Sequence, residues 1–318
     1  MTTSQIYQIM IDYELTLYDR IEAIKSVNAK YDLEHNGYLS FSGGKDSTIL
    51  HYLIDKALPN NKIPRVFINT GIEYSDIVSF ARGMADQDDR FVILTPKIPI
   101  KPMLEKYGYP FKSKDHALRV YQFNRGTNAN YLPKYLGKTD YKGKFMCPKI
   151  LLYQFEEKGK YNYSNLCCQK LKKEPIHQWE KENKRRIAIT GMRNSEGGNR
   201  ERLGCIITDS RTKKIVKFHP LVKVDEEWEN EFVEREQITL CKLYYPPFNF
   251  KRTGCKGCPF ALTLQEQLET MAKYLPNERK QCEVIWKPVY DEYRRLNYRL
   301  KSYEQLDLFE LMKGETKE

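Results

Sequence analysis

The stretch Ser42-Gly43-Gly44-Lys45-Asp46-Ser47 decides how the rest of this sequence is interpreted. An apolar, strand-like run ends at Phe41, and a run with helical spacing follows from Ser47 to Leu58. Two adjacent glycines allow a tight turn that brings backbone N–H groups close to an anion. The following helix directs its unpaired N–H groups and the positive end of its dipole at the same place. With the Lys45 ammonium and two serine hydroxyls, the pattern predicts a phosphate-binding loop, although not of the Walker type.

Hydrophobic periodicity around this loop predicts an α/β fold. Strand-like runs lie at 38–41, 65–69, 91–95 and 187–190, and helical patterns separate them. Such alternation is typical of a doubly wound, mainly parallel sheet, in which ligands bind at the carboxyl ends of the strands. The loop at 42–47 has that position.

Three regions are predicted along the chain. Residues 1–34 form an N-terminal helix, residues 35–222 a nucleotide-binding α/β domain, and residues 223–318 a mostly helical C-terminal region. A Tyr/Lys-rich insertion occupies about 96–165. Its interleaved aromatic and basic side chains suit either a stacking surface for nucleic-acid bases or tyrosines packed against the main sheet.

Composition indicates a globular protein with an anionic partner. The chain has 318 residues, 41% hydrophobic and 30% charged, and no apolar run near the length of a membrane span. Because its start lacks the pattern of a signal peptide, a cytoplasmic protein without membrane association is expected. The formal net charge of +11 favours a nucleotide, a nucleic acid or both, although a solvated lysine-rich surface gives the same balance.

Eight cysteines in an expected cytoplasmic protein argue against a disulfide framework. Two pairs stand out: Cys167-Cys168, before a helix-like stretch, and Cys255-x-x-Cys258 in a glycine-rich turn. Four thiolates can hold a zinc ion or an iron–sulfur cluster, and vicinal cysteines suit the larger cluster better. A redox pair at 255/258 and plain buried thiols stay open as alternatives. The isolated cysteines are Cys147, Cys205, Cys241 and Cys282.

Several separated motifs, from about residue 35 to 265, resemble the phosphoadenylyl-sulfate (PAPS) reductase family of the PP-loop ATP pyrophosphatase superfamily. The loop at 42–47 resembles the PP-loop, S-G-G-x-D-S. The two cysteine pairs resemble the iron–sulfur pattern of adenylyl-sulfate reductases. The other similar segments are Phe67 to Tyr74, Thr190 to Arg193 with Arg200, and Phe218 to Leu221.

This resemblance implies a site for an adenine nucleotide, either ATP or adenylyl sulfate, with Mg²⁺ bridging its phosphates. Lys45, Asp46 and Arg193 would act in catalysis, with Asp46 as a magnesium ligand or orienting carboxylate. A 4Fe–4S cluster, with zinc as the alternative, would be held by Cys167, Cys168, Cys255 and Cys258. The residues implied in nucleotide binding are Ser42, Gly43, Gly44, Lys45, Asp46, Ser47, Thr70, Gly71, Gly191, Arg193 and Arg200.

The sequence departs from the family at its C-terminus. Family reductases use a mobile cysteine there, whereas the tail Met312 to Glu318 contains none, so Cys282 or Cys147 would have to replace it. The leading hypothesis is therefore ATP pyrophosphatase-type adenylation linked to sulfur transfer onto a tRNA or DNA acceptor, with a separate sulfur donor.

Two alternatives accompany this hypothesis. One is a sulfonucleotide reductase that makes sulfite with a thioredoxin-like reductant. The other is a catalytically inactive module that binds a nucleotide or nucleic acid. The oligomeric state is left open, with a homodimer as one option.

Overall fold

The computed structural model describes residues 3–127, 130–140, 146–196 and 200–302, without the side chains of residues 3–11 and 196. The C-terminal tail and Tyr141 of the insertion therefore lie outside the described residues. The α-helices are α1 (Thr3–Tyr31), α2 (Leu33–Asn36), α3 (Lys45–Ala57), α4 (Ser75–Gln87), α5 (Ile100–Tyr107), α6 (Lys114–Arg125), α7 (Leu132–Tyr135), α8 (Glu174–Glu182), α9 (Glu226–Arg235), α10 (Leu264–Tyr274), α11 (Pro276–Ile285) and α12 (Lys287–Arg295). The strands are β1 (Gly37–Phe41), β2 (Arg65–Ile68), β3 (Phe91–Leu94), β4 (Ile187–Ile189), β5 (Ile206–Thr208) and β6 (Ile215–Phe218).

In the described part of the chain, these strands form one six-stranded sheet in the order β3-β2-β1-β4-β6-β5. Neighbouring strands are parallel except for β5, which runs antiparallel to β6. Leu39 of β1 lies in register with Arg65 of β2 on one side and Ile189 of β4 on the other. The chain reverses its direction of winding between β1 and β4, and ligands bind at such a switch point in open α/β sheets. The predicted fold class is confirmed.

The chain divides into two compact units, and each is built from separated segments. The first unit contains residues 1–69, 73–95 and 175–253, and the second contains residues 70–72, 96–174 and 254–318. The predicted region boundaries near residues 34 and 222 stay a prediction.

The first unit contains the whole sheet and the helices that cover it. Tyr38, Val66 and Ala188 on neighbouring strands pack with Ile176 and Trp179 of α8. The Tyr38 ring meets the Trp179 ring edge-on at 5.3 Å between centroids. Burial of these apolar side chains stabilises the strand order that positions the loop after β1.

Aromatic rings form the core of the second unit. Phe111 stacks on Tyr163 at 4.4 Å and packs against Tyr293 of α12 at 4.8 Å. The Tyr293 hydroxyl donates to the Pro259 carbonyl, and the Trp286 indole donates to the Lys256 carbonyl. These bonds attach the cysteine-bearing turn at 255–258 to the C-terminal helices.

Two features of the structure differ from the sequence predictions. Strands β5 and β6 were not predicted, because β5 is only three residues long and largely exposed, so it lacks an apolar pattern. The helix expected from Gln169 begins with a π-helical turn, Gln169–Lys173, before α8. Such turns occur mostly as single insertions in helices, frequently at functional sites. Among the residues described, no helix has the length and hydrophobicity needed to cross a membrane.

Candidate active site

The glycine loop between β1 and α3 has the tight conformation that its sequence predicts. Gly43 has a φ of +69°, which is accessible to glycine but unfavourable for other residues. A Cβ atom at Gly43 would lie 2.9 Å from Cγ2 of Ile77, so the backbone also passes too close to α4 for a side chain. Both constraints explain why glycine is needed here.

The serine side chains hold the loop in shape. Ser47 Oγ accepts from the Ser42 N–H at 3.1 Å, and Ser42 Oγ accepts from the Gly44 N–H at 3.3 Å. Ser47 and Thr48 donate back to the Gly44 carbonyl at 2.9 and 3.0 Å. The loop is therefore preorganised by its own hydroxyl groups.

A tyrosine from a distant segment reaches the beginning of α3. The Lys45 N–H donates to the Tyr244 hydroxyl at 3.0 Å, and this hydroxyl also bonds Thr253 Oγ1 at 2.7 Å. The first N–H groups of a helix lack partners within the helix. Tyr244 thus satisfies one amide at the place where the sequence predicts a phosphate.

The end of strand β4 approaches the same loop. A Cβ atom at Gly191 would lie 2.9 Å from the Asp46 carbonyl oxygen, so the two backbones touch. Two residues later, the Arg193 guanidinium lies 3.7 Å from an Asp46 carboxylate oxygen. Parallel neighbours β1 and β4 therefore bring Asp46, Gly191 and Arg193 to one edge of the sheet, as the resemblance implied.

A buried carboxylate from α9 lies between the two predicted catalytic cations. Glu229 has no exposed side-chain surface, and its oxygens are 3.4 Å from Lys45 Nζ and 3.2 Å from Arg193 Nε. Both distances are within ion-pairing range, but neither contact has the alignment of a hydrogen bond. Burial and the nearby charge of Asp46 raise the pKa of Glu229 to about 7, while Arg193 and Lys45 oppose the shift.

Further positive charge surrounds this cluster. Arg200 lies within electrostatic range of Arg252, Asp46 and Arg193, and desolvation followed by the neighbouring arginines lowers its pKa. Lys45 also contacts Asn230 Oδ1 at 3.3 Å and Glu226 at 3.6 Å. Guanidinium groups at these positions suit bidentate contacts with phosphate oxygens.

Lys45 also lines a pocket in the first unit. The pocket has a volume of about 300 Å³ and is lined by Lys45, Asn230, Tyr244, Tyr245, Phe250 and Lys251, among others. A mixture of aromatic surface and a few polar groups is typical of small-molecule sites, which are often of this size or larger.

The two cysteine pairs lie in the second unit and influence one another. A hydrogen bond with Cys168 and burial raise the pKa of Cys167, and the charges of Cys258 and Cys255 add to this effect. The hydrogen bond from Cys167 lowers the pKa of Cys168, as do the charges of Lys114, Lys172 and Lys173. Desolvation and the charge of Cys255 raise the pKa of Cys258 to about 12.

These four thiols provide the soft donor set of an iron–sulfur or zinc site. Within the described ranges, however, no group of three or more His, Cys, Asp or Glu residues could hold a metal ion as the side chains stand. In an iron–sulfur cube each thiolate binds its own iron, so the ligands are more widely spaced than around one ion. The residue types and their proximity fit such a cluster, and the assignment stays a prediction.

The nucleotide residues predicted at 70 and 71 belong to the second unit. Gly71 has a φ of +79°, and Thr70 is buried and accepts the Ile72 N–H through Oγ1 at 3.4 Å. The Ile72 carbonyl accepts the Lys256 N–H at 2.8 Å. This bond places the predicted adenosine pocket next to the turn that carries Cys255 and Cys258.

Comparison with known proteins decides the family. A family model for the phosphoadenosine phosphosulfate reductase domain matches residues 36–140 and 148–261, well over half of the chain. The chain belongs to this family. The PAPS reductase family assignment agrees with the loop, the arginine segment and the order of the cysteine pairs along the chain.

Other relatives of this PAPS reductase family member are distant. An uncharacterized protein from Methanocaldococcus jannaschii is 24% identical over 255 residues, which cover 80% of this chain and 48% of that protein. The chain thus spans about half the length of the curated relative that it matches.

The solved structures that resemble this chain are also distant from it in sequence. Phosphoadenylyl-sulfate reductase from Candida auris has a TM-score of 0.44 and 15% identity, covering 74% of this chain and 87% of that chain. The U34-tRNA thiolase NcsA from Methanococcus maripaludis, solved with its 4Fe–4S cluster, has a TM-score of 0.37 and 16% identity. It covers 87% of this chain and 80% of that chain. The family assignment rests on the family model alone.

Sequence reasoning missed several side chains of this PAPS reductase-family site. Glu229 lies in an acidic helix that gives no local signal of a site, although its spacing from the buried Phe232 places its carboxylate on the buried face of α9. Tyr244 gives no local signal, because it reaches the loop only through the tertiary fold.

Two of the isolated cysteines, Cys147 and Cys282, are poor candidates for an accessible nucleophile. Burial raises the pKa of Cys282 to about 12 and of Cys147 to about 11. Cys282 has no exposed surface, and Cys147 is 9% exposed. Lys256, which lies in the cysteine turn at 255–258, forms a buried ion pair with Glu278.

Proposed function

We propose that this protein is a PP-loop enzyme that transfers AMP from ATP to an acceptor and releases pyrophosphate, in a reaction linked to sulfur transfer. The proposal is based on one observation. Lys45 and Arg193 both contact Glu229 at the first turn of α3, beside a preorganised glycine loop. Family membership supports an enzyme that acts on an adenine nucleotide.

The residues of the first unit would have separate roles in this reaction. The loop from Ser42 to Ser47 would hold the β- and γ-phosphates at the beginning of α3. An acceptor oxygen would attack the α-phosphorus, and the bond to the bridging oxygen would break, so that pyrophosphate leaves with the electron pair. Lys45 and Arg193 would stabilise the negative charge that develops on the leaving group.

Asp46 is the residue that we propose to hold Mg²⁺ or to orient the phosphates. Its carboxylate is partly exposed at the loop, and carboxylate oxygens are the ligands that Mg²⁺ prefers. Arg200 would contact the phosphates from the loop after β4, and Thr70 with Gly71 would line the adenosine pocket.

Glu229 would hold Lys45 and Arg193 in place before the nucleotide arrives. Its burial beside both cations, without an aligned hydrogen bond, supports a contact that a phosphate group can displace. This assigns Glu229 a positioning role rather than a catalytic one.

We also propose that Cys167, Cys168, Cys255 and Cys258 hold a 4Fe–4S cluster. Such a cluster supplies iron and sulfide that can bind or transfer sulfur. The lysines around Cys168 would offset the negative charge of the thiolates.

The experiment is a pyrophosphate-release assay with ATP, in the presence and absence of RNA and DNA. A Lys45→Gln variant is expected to lose at least 100-fold in kcat/KM, because a charge at the leaving group is removed. The matched control is Lys56→Gln, on the same helix but paired with Glu236 at the surface, and it should stay within twofold of the wild type.

Three outcomes separate the hypotheses. Absence of ATP binding and of pyrophosphate release with every acceptor would refute the proposal. Tight ATP binding without turnover would select the inactive binding module. Sulfite production from adenylyl sulfate would select the reductase, which the burial of Cys147 and Cys282 disfavours.

A further inference from the structure

The excess positive charge of this chain is confined to one segment. Residues 96–174 contain 17 Lys and Arg but only six Asp and Glu, a net charge of +11 that equals the charge of the whole chain. The remaining residues contain 36 of each sign and are therefore balanced. All of this segment belongs to the second unit. A polycationic segment in an otherwise neutral chain favours the binding of a polyanionic partner.

Part of this charge lies directly against aromatic rings. Lys170 Nζ is 4.7 Å and Lys106 Nζ is 5.4 Å from the centroid of the Tyr107 ring. The Arg125 guanidinium is 4.7 Å from the Tyr121 ring. Lys170, which lies over the Tyr107 ring, is also within electrostatic range of Tyr121, so the two rings are near one another. Each ring is half-buried and keeps part of its surface accessible.

Helix α6 contributes one face to this surface. Lys114, Tyr121 and Arg125 are spaced by seven and four residues, which places them on the same side of the helix. Ala117 and Val120 form the buried side. Lys106, Lys114 and Arg125 are exposed, and no ion pair of theirs occurs within the described residues. We define the basic aromatic surface as Lys106, Tyr107, Lys114, Tyr121, Arg125 and Lys170.

The surface is continuous with the cysteine pair. Lys170 follows Cys168 by two residues, in the π-helical turn Gln169–Lys173 that begins directly after this cysteine. Lys170 additionally pairs with Glu174 at 2.7 Å, which fixes its side chain near Tyr107. A polyanion bound here would pass next to the predicted sulfur chemistry.

We propose that the basic aromatic surface binds an unpaired segment of RNA, with phosphates on Lys106, Lys114 and Arg125 and bases stacked on Tyr107 and Tyr121. The segment would be the acceptor of the reaction, a role that rests on the proposed function. Aromatic rings interleaved with cations are the arrangement that binds single strands, because every base has a face that stacks.

An unpaired strand explains the surface better than a duplex does. A duplex presents mainly phosphates, for which lysines and arginines suffice, whereas its stacked bases cannot reach tyrosine rings. RNA is favoured over DNA because loops and bulges of folded RNA expose unpaired bases, and such bases stack on aromatic side chains and arginine. DNA offers them only where its duplex is opened.

The test measures binding of a fluorescein-labelled 20-nucleotide single-stranded RNA by anisotropy, without ATP and at several salt concentrations. The triple variant Lys106→Gln/Lys114→Gln/Arg125→Gln removes three cations of the surface. The control variant Lys62→Gln/Lys181→Gln/Lys214→Gln removes three exposed cations of the first unit and causes the same loss of net charge. Circular dichroism checks that both variants are folded.

The surface variant is expected to bind at least tenfold more weakly, and its salt slope should fall by about 2, since each single-strand phosphate contact contributes about 0.7. The control should stay within twofold of the wild type. Equal weakening by both variants would overturn the proposal, because it would indicate a diffuse charge effect.

The tyrosines provide an independent test. Tyr107→Ser/Tyr121→Ser should weaken RNA binding about tenfold or more, whereas Tyr107→Phe/Tyr121→Phe, which keeps both rings, should restore it. A duplex DNA of equal length should bind more weakly than the RNA, and its affinity should not depend on the rings. Tighter binding of duplex DNA, or no effect of removing the rings, would overturn the proposal.

Failure of this inference can be told apart from failure of the proposed function. RNA binding is measured without nucleotide, so binding through this surface without any pyrophosphate release would retain the surface and discard the reaction. ATP-dependent pyrophosphate release with RNA, unaffected by the surface variants, would retain the reaction and discard the surface.

Discussion

At the scale of single residues, Glu229 sets the charge that a phosphate meets at the loop. Lys45 and Arg193 face its carboxylate directly, Asp46 adds a second negative charge, and Glu226 lies beside Lys45. When Glu229 is ionised, the three carboxylates offset the charges of Lys45, Arg193 and the nearby Arg200. When it is protonated, the cluster gains a net positive charge.

We therefore predict that nucleotide binding tightens as the pH falls through about 7, the pKa of Glu229. Proton uptake frees Lys45 and Arg193 for phosphate, so the Kd for ATP should fall about three- to tenfold from pH 8 to pH 6. Glu229→Gln mimics the protonated form, so it should bind ATP more tightly than the wild type at pH 8 and about as tightly as the wild type at pH 6. Isothermal titration calorimetry at each pH measures this.

The titration of ATP itself is the same for both proteins and cancels in their comparison. The folded-state pKa of Glu229 is raised, so its protonation stabilises the fold, and this stabilisation is lost as the pH rises through about 7. If Glu229→Gln kept the full pH dependence of the wild type, another group would control phosphate binding.

The loop and its partners differ in how far sequence alone could identify them. Ser42 to Ser47 are contiguous, and their residue types determine the turn that they form. The sequence alone was therefore sufficient to predict the conformation of this loop. Glu229 and Tyr244 contact the loop from segments more than about 180 residues away, and sequence periodicity does not predict such contacts.

At the scale of elements, the beginning of α3 has two acceptors competing for one amide. The Tyr244 hydroxyl accepts the Lys45 N–H in the structure, and a bound phosphate would use the same donor. Tyr244→Phe should destabilise the nucleotide-free protein by about 1 kcal/mol, as loss of a helix cap does. It should also bind ATP several-fold more tightly, because the competing hydroxyl is gone.

Thermal unfolding without nucleotide and calorimetry with ATP measure these two effects separately. The matched control is Tyr245→Phe, the adjacent tyrosine, whose hydroxyl accepts the Leu240 N–H instead. Weaker ATP binding by Tyr244→Phe would mean that the hydroxyl contacts the nucleotide rather than competing with it.

Element prediction succeeded where a strand has a largely apolar sequence, and this includes the partly exposed β3 (Phe91–Leu94). Strands β1, β2 and β4 are almost fully buried, so they appear in the sequence as apolar runs. Strand β6 continues the parallel order beside β4, yet its exposed Lys217 interrupts the apolar run, and its hairpin partner β5 is exposed. The β6–β5 side of the sheet therefore forms through strand pairing that sequence patterns do not predict.

At the scale of the whole molecule, the units are assembled from segments that alternate along the chain. The second unit combines residues 96–174 with the C-terminal helices, although the segment between them belongs to the first unit. Cys168 and Cys255, with 86 residues between them, thus reach the same unit. The linear division predicted from composition could not anticipate this, because composition changes do not report which distant segments pack together.

This assembly leads to a prediction about metal content. Anaerobically purified protein should contain about four iron and four sulfide per chain and absorb broadly near about 400 nm. Cys168→Ser and Cys258→Ser should each lose most of the iron, because each removes one of four ligands. Cys205→Ser and Cys241→Ser, outside the two pairs, should keep it.

The iron analysis also decides between the two metals that four thiolates can hold. One zinc per chain in a colourless protein, lost in the same variants, would replace the cluster with a structural site. Retention of metal in Cys168→Ser would exclude Cys168 from the ligand set. Since the basic aromatic surface adjoins Cys168, the same variant should leave RNA affinity within twofold, which separates loss of the metal from loss of the surface.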